Sequence, residues 1–304
     1  MLIESIAARA KVDPDDLRRI ASNASRRYHE FEIAKRDGTP RIIAHPSRPL
    51  KALQRFLARN IFGLAPVHPS ATAYVKGSSI RNNAEVHAAS HFTTRLDFSS
   101  FFPSFDSGSI KSFTREICGT NSAPLSEEDL NFVVRIVCRN GSLPIGAPSS
   151  PRITNAMMFQ FDESAYHYCN VLNVTYTRYA DDIFLSGMDK SNIKSCADRI
   201  KYLINHHARP KLFLNEAKTL HLSRAQHRSV TGLVITPEGK ISIGRDRKRE
   251  IKTLAYLALN EKLTSEKRKY FSGMIAFCHD VEPDFVEGLN KKFDCDFLSL
   301  IKEI

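Results

Sequence analysis

Apolar positions recur along this chain at spacings that switch between helical and strand periods, and each switch marks an element. The first 30 residues carry two helical patterns. Asp13-Pro14-Asp15-Asp16 starts the second with a capping acid, proline at the first helical position and acids in the first turn. The stretch from Ile6 to Ala21 has the outline of a helix-turn-helix, although two amphipathic helices joined by a turn are more often simple packing. Alternation from Phe31 to Ile43 around Asp37-Gly38 predicts a hairpin. Pro46-Ser47-Arg48-Pro49 then leads into a helix from Leu50 to Phe62, with Leu53, Phe56, Leu57 and Ile61 on one face.

The middle of the chain is mixed. A strand from His91 to Phe98 carries Asp97 near its end, and helices are expected over Gly108–Ile117 and Leu130–Cys138. Ser150-Pro151 opens one helix running to about Cys169. Strands Val174–Tyr179 and Ile183–Ser186 flank Ala180-Asp181-Asp182, and a helix from Asn192 to His207 follows. Short strands are expected at Leu212–Leu214, Thr219–Leu222 and Val230–Ile235. After Gly244 the pattern is helical to the end, as in a small bundle. Strands and helices mixed in this way predict an α+β protein.

Composition narrows the class. At 304 residues, with 42% hydrophobic and 25% charged residues, wholesale disorder, collagen and coiled coil are excluded. No apolar run approaches the roughly 18 residues of a membrane helix. The opening MLIESIAARA has an acid at position 4 and no apolar core, so it is not expected to be a signal peptide. Six scattered cysteines without a C-x-x-C pair or zinc spacing read as reduced, mostly buried thiols, and a cytoplasmic location away from membranes is expected. The net charge of +11 is concentrated. Residues 17–60 hold eleven Lys/Arg against three acids, and residues 240–252 hold six against two. Two basic zones on a neutral body fit a polyanion gripped from two sides, or two solvated helix faces.

The strongest chemical feature is Tyr179-Ala180-Asp181-Asp182. Adjacent carboxylates on a tight turn between apolar strands repel each other, and a divalent metal removes that conflict. Asp97 is the natural third carboxylate if its strand lies beside the hairpin. Three acids at neighbouring strand ends suit two Mg²⁺ ions about 3.5–4 Å apart, the arrangement for in-line phosphoryl transfer. Taken alone, Asp-Asp is also simply a good turn pair.

It stands in an ordered series. RIIAHPSRPLKALQRFLARNI (41–61), NAEVH (83–87), LDFSSFFPS (96–104), LPIGAPSSP (143–151), YADD (179–182), LNEAKT (214–219) and VTGL (230–233) follow one another. This order and spacing resembles reverse transcriptases, and the N-A-x-x-H and V-T-G elements resemble the retron type, over residues 10 to 260. The resemblance implies a right-hand polymerase. Its expected parts are fingers in 1–90, a palm with a small antiparallel sheet in 91–235 (with a fingers insertion at about 103–165), and a short helical thumb in 236–304.

The resemblance also implies roles. Asp97, Asp181 and Asp182 match the catalytic metal-binding carboxylates, with the Phe98 carbonyl as a backbone ligand for two Mg²⁺ ions, Mn²⁺ being a substitute. Phe102 matches the aromatic under the sugar that excludes a 2′-OH, Arg41 the fingers arginine on the incoming triphosphate, and Lys218 the lysine near the pyrophosphate. Gly146 is expected to let backbone approach the nucleotide closely. Ile145 stands where many relatives have a glutamine that contacts the nucleotide. Asn83, His87, Val230, Thr231 and Gly232 match elements linked to the cognate RNA, and Arg245, Arg247, Lys248 and Arg249 form a basic start to the thumb. The implied activity is RNA-templated DNA synthesis from dNTPs, primed on a 2′-OH of a structured non-coding RNA and giving a branched RNA–DNA product. An anti-phage role with a separate effector protein is implied with it. The alternatives are a catalytically silent RNA-binding scaffold and a bacterial reverse transcriptase of the intron or diversity-generating kind.

Overall fold

The computed structural model describes residues 1–34, 38–121, 124–206 and 210–302. In chain order the elements are α1 (Leu2–Ala10), α2 (Pro14–Ser22), β1 (Tyr28–Ala34), β2 (Pro40–Pro46), α3 (Arg48–Asn60), α4 (Ile80–Glu85) and β3 (Phe92–Asp97). There follow α5 (Ser107–Asn121), α6 (Glu127–Val137), α7 (Ser150–Met157), α8 (Phe159–Val171), β4 (Thr175–Tyr179), β5 (Asp182–Gly187) and α9 (Lys190–His206). The C-terminal part holds β6 (Leu220–Ser223), β7 (Arg228–Val230), β8 (Leu233–Ile235) and β9 (Ile241–Ser242), then α10 (Arg245–Leu259), α11 (Ser265–Val281), α12 (Pro283–Phe293) and α13 (Phe297–Leu300). The strands form a β1-β2 hairpin, a four-stranded sheet ordered β4-β5-β3-β6 and a three-stranded sheet β7-β8-β9. No described helix is long and apolar enough to cross a membrane.

The chain divides into two compact units: Met1–Lys76 with Thr94–Leu185 and Ser191–Leu220, and Gly77–Thr93 with Ser186–Lys190 and His221–Ile304. This partition differs from consecutive blocks bounded at 90 and 235. The reason is that α4 packs on β7, β8 and β9, so residues 77–93 join the C-terminal unit. In the first unit Asp13 caps α2 as expected, its side chain accepting from Asp15 N–H at 2.8 Å. Helices α1, α2, α3 and α5 all pack on α6, whose Leu130, Val133, Ile136 and Val137 are buried. The hairpin pairs Tyr28 with Pro46 through to Ala34 with Pro40. Asp37 of the expected Asp37-Gly38 turn lies outside the described residues, as does His207 at the expected end of α9.

Three expected elements differ. The helix from Ser150 to Cys169 is broken at Met158, where φ is −83° and ψ 0°, although Met158 N–H still donates to Thr154 and Asp162 N–H to Met158. Leu212–Leu214 is not a strand. Pairing stops after the single bridge Phe98↔Leu214, as the chain enters the tight turn Glu216–Lys218. Val230–Ile235 is a hairpin rather than one strand, because Thr231 and Gly232 both take positive φ, 49° and 82°, the signature of a primed turn. The Thr231 hydroxyl donates to the Ile80 carbonyl at 3.0 Å and so ties that turn to α4. The cysteines are free, and all but Cys295 are buried.

A buried polar network anchors the second unit. His87, with no exposed surface, shares a 2.7 Å hydrogen bond between Nδ1 and Ser186 Oγ, and Ser90 Oγ donates to the same Ser186 oxygen at 3.1 Å. Burial pushes the His87 imidazole down to about 3, so it is neutral in the folded protein. Between that value and the ordinary 6.5, the unfolded chain binds a proton that the folded chain does not. Stability carried by neutral His87 is therefore complete above about pH 6.5 and is lost as pH falls below it, by about 1.4 kcal/mol per pH unit. Urea midpoints between pH 7.5 and 5.5 should fall accordingly. In His87→Gln that fall should be smaller by about 1 kcal/mol per pH unit, and an unchanged slope would show that His87 is not the group responsible.

Candidate active site

The site is built where strands end in the first unit. β3 runs into Asp97, and the β4–β5 turn presents Ala180, Asp181 and Asp182, with Ala180 in left-handed backbone at φ 56°. Phe98 N–H donates to the Asp181 carbonyl at 2.9 Å, which locks the end of β3 to that turn. Asn215 N–H donates to the Asp97 carbonyl at 2.7 Å and Ser99 N–H to the Phe213 carbonyl at 2.8 Å. Main-chain bonds thus fix three distant segments around the carboxylates.

Beneath the turn lies Arg178, fully buried with Asp162. Its Nε and Nη2 donate to the two Asp162 oxygens at 2.8 and 2.6 Å, and its Nη1 donates to Asn155 Oδ1 and to the Ala180 carbonyl at 3.2 and 3.1 Å. Tyr176 OH donates to Asp162 at 2.7 Å, and its proton is held well above the usual phenol range by burial and the Asp162 charge. Asn155 Nδ2 in turn donates to the Ala73 carbonyl at 2.8 Å, next to Tyr74.

A cleft of about 750 Å³ opens over these residues, lined by Arg41, Tyr74, Asp97, Phe102, Asp181 and Lys218. Four of the expected site residues, Arg41, Phe102, Asp97 and Lys218, therefore converge with Asp181. Arg41 is exposed, and Phe102 meets Phe101 edge to face at 5.5 Å. Lys218, half exposed, places Nζ 3.3 Å from Asp97 Oδ1. Ile145 and Asn215 also line the cleft, and the apolar Ile145 side chain offers no hydrogen bond there. Burial, then the Asp97 charge, raises the Asp181 carboxyl above its usual range. Burial likewise pushes Asp182 up to about 6, with Asp181 and Asp97 adding and Arg95 opposing.

Arg95 escaped the sequence reading. Its Nε and Nη2 donate to Asp182 Oδ1 at 2.9 and 2.8 Å, and Nη2 lies 3.9 Å from Asp97 Oδ2. The available signal was its position two residues before Asp97, hence on the same face of β3. Among the described residues, no three acidic, histidine or cysteine side chains already form a metal cage. Arg95 and Lys218 sit on carboxylates that would share one. Carboxylates raised first by burial and then by one another's charge, as Asp181 and Asp182 are, are nevertheless hard oxygen donors, and this donor set fits Mg²⁺ or Mn²⁺. Asp97 and Asp181, with Asp182 and the Phe98 carbonyl, are the groups able to hold such ions.

The remaining expected residues have these neighbours. Gly146, at φ 108°, packs against β2: a Cβ there would lie 2.8 Å from the Ala44 carbonyl oxygen and 2.9 Å from Ile43 Cγ2. Ala44 N–H donates to the Ile145 carbonyl at 2.8 Å, so this loop is stitched to the strand carrying Arg41. In the second unit Asn83, His87 and Val230 are buried. Lys248 is ion-paired with Glu282 and lies over Phe285, while Arg247 lies over Phe277 and reaches the Ile243 carbonyl. These two cations hold the helices together. Arg245 and Arg249 are exposed, and Lys252 and Tyr256, not singled out from the sequence, extend their face at helical spacing. Gly232 is exposed at the β7–β8 turn.

Residues 33–257 match the family described as reverse transcriptase (RNA-dependent DNA polymerase). The chain is 33% identical to the retron Ec83 reverse transcriptase of Escherichia coli, across 99% of this chain and 97% of that protein. It is also 33% identical to the retron Ec73 reverse transcriptase of Escherichia coli, across 87% and 86%. Among solved structures, apo telomerase from Candida tropicalis superposes with a TM-score of 0.51 at 11% identity, covering 87% of this chain and 58% of that one. Telomerase from Candida albicans superposes at 0.50 and 11%, with 87% and 56% covered. The chain thus spans little more than half of either telomerase, and these likenesses bear on fold alone, which is that of a right-hand polymerase.

The Gly146 geometry makes a direct prediction. Gly146→Ala combines a positive φ with a backbone collision and should cost about 1–3 kcal/mol. Because the collision is with the strand carrying Arg41, it should also raise KM for dNTP several-fold. Urea denaturation and a dNTP titration measure the two effects, and a silent substitution would mean that the loop and β2 separate without cost.

Proposed function

Since the chain belongs to the retron reverse transcriptases and is an RNA-directed DNA polymerase, we propose that it copies part of a structured non-coding RNA into DNA linked to that RNA through a 2′-OH branch. The observation that carries this reading is the single cleft in which Asp97, Asp181, Arg41, Phe102 and Lys218 meet. In each step a 3′-OH, or the 2′-OH at initiation, forms a bond to the α-phosphorus of a dNTP. The bond to the bridging oxygen breaks, and pyrophosphate leaves.

Asp97 and Asp181, supported by Asp182 and the Phe98 carbonyl, would hold two Mg²⁺ ions. Bound there, such ions lower the pKa of the attacking hydroxyl and neutralise charge on the phosphates. Exposed Arg41 meets the triphosphate with a planar fork of donors. The Lys218 ammonium faces the leaving pyrophosphate and can give it a proton from Nζ. Phe102 packs under the sugar, where a 2′-OH would collide with its ring. The exposed stripe Arg245, Arg249, Lys252 and Tyr256, with the Thr231-Gly232 turn, offers phosphate contacts to folded RNA. Branched product synthesis, a cytoplasmic location, an anti-phage role and a separate effector protein complete the reading, supported by the likeness to retron enzymes.

Primer extension on an RNA template with dNTPs and Mg²⁺ tests the chemistry. Asp181→Asn should lower incorporation at least about a thousandfold while RNA affinity, read by filter binding, stays within about twofold. Near wild-type incorporation would remove Asp181 from the reaction. Phe102→Ala should reduce the preference for dNTP over rNTP by about 10- to 100-fold on the same primer, and an unchanged ratio would return Phe102 to a packing role. Sequencing nucleic acid that copurifies with the protein tests for the branched product.

A further inference from the structure

We propose that Arg95 is the resident counter-ion of the carboxylate cluster: it keeps Asp182 oriented before a divalent cation arrives, and its charge sets the cation concentration that the enzyme requires. The inference rests on the reading of Asp97 and Asp181 as cation ligands.

Position comes first. On a strand, residues two apart share a face, so Arg95 and Asp97 project to the same side of β3. The ladder order β4-β5-β3 makes β5, which begins at Asp182, the neighbour of β3. The guanidinium therefore emerges between the two acids. Both of its engaged donors converge on Asp182 Oδ1, at 2.9 and 2.8 Å, while Nη2 stays 3.9 Å from Asp97 Oδ2. Arg95 thus fixes one Asp182 oxygen and leans on Asp97 electrostatically without closing a hydrogen bond to it.

Chemistry decides what such a contact does. An arginine cannot shed its proton to make way for a metal, so its charge persists when a cation enters. With the side chain only 34% exposed, solvent screens it incompletely, and a divalent ion between Asp97 and Asp181 feels its repulsion. Lys218 differs: its half-exposed chain can swing away from Asp97. Arg95 is accordingly a positioning residue whose effect on the cation is unfavourable. It offsets part of the repulsion among the acids in the resting enzyme, and it keeps cation affinity low.

The test reads cation binding directly. Mn²⁺ is titrated into the full-length protein, without nucleotide or nucleic acid, and free ion is followed by electron paramagnetic resonance. Arg95→Gln should bind Mn²⁺ roughly tenfold more tightly than wild type. The Mg²⁺ concentration giving half-maximal extension should fall in parallel, whatever happens to kcat. Arg95→Lys keeps the charge and should stay within about threefold of wild type. Unchanged or weaker Mn²⁺ binding in Arg95→Gln overturns the proposal. So does Arg95→Lys binding as tightly as Arg95→Gln is expected to, which also decides the matter should the glutamine variant not fold. Asp181→Asn is the control for the underlying reading. If it binds Mn²⁺ as wild type does, the ligand assignment has failed; if it loses binding while Arg95→Gln is unaltered, only the counter-ion role has failed.

Discussion

A guanidinium keeps its proton wherever it is buried, so a fully buried arginine dictates the structure around it. Arg178 is such a residue, and the candidate site hangs from the partners it demands. Asp162 on α8 supplies a two-pronged carboxylate, Asn155 on α7 an amide oxygen, and Ala180 a carbonyl at the very turn that presents Asp181. The Arg178 backbone adds two more ties, its N–H donating to the Ser70 carbonyl and its carbonyl accepting from Thr72 N–H. Removing either partner of a buried pair strands the other charge at a cost of about 3–5 kcal/mol. The pair therefore specifies one arrangement of α7, α8, β4 and the 70–73 segment. The break at Met158 separates Asn155 and Asp162 onto successive helices while both still reach Arg178.

Above that anchor the electrostatics reverse. Below the turn Arg178 and Asp162 pair with full geometry, whereas in the cleft Asp97, Asp181 and Asp182 crowd together. Burial and mutual repulsion raise Asp181 and Asp182, a condition that divalent cations would relieve. Lys218 and Arg95 supply partial relief, the first half exposed beside Asp97 and the second carried on β3 beside Asp182. The rigid lower network and the charge-deficient upper cluster form one design: the first keeps the second from relaxing apart.

The helical C-terminal unit divides its basic residues by the same logic. Glu282 accepts from the Ser242 hydroxyl, the Ile243 N–H and the Lys248 ammonium, so Lys248 is committed to packing. Arg247 lies over Phe277. Arg245, Arg249 and Lys252 have no such duty and lie in solvent. The five cations from Arg245 to Lys252 are thus split by helical rotation into residues that hold the unit together and residues available to a polyanion.

Most of the elements and the candidate carboxylates were legible in the sequence because both follow from the order of residues along the chain. Helical and strand periods, the Asp13 cap and the β4–β5 hairpin are set by neighbours within a few residues, and the order of motifs from 41 to 233 carries the family. Asp97, Asp181 and Asp182 belong to that layer. The remainder is decided by contacts between segments far apart in the chain, which no local pattern encodes. Arg95 meets Asp182 across 87 positions, and Gly146 faces Ala44 across about a hundred. His87 is buried by Ser186, 99 residues away. Local pattern told which residue types were present and in what order. Only the folded chain could decide which donors face a carboxylate, which glycine faces a strand and which cations face water, because hydrogen-bond geometry and desolvation exist only once those distant segments have met.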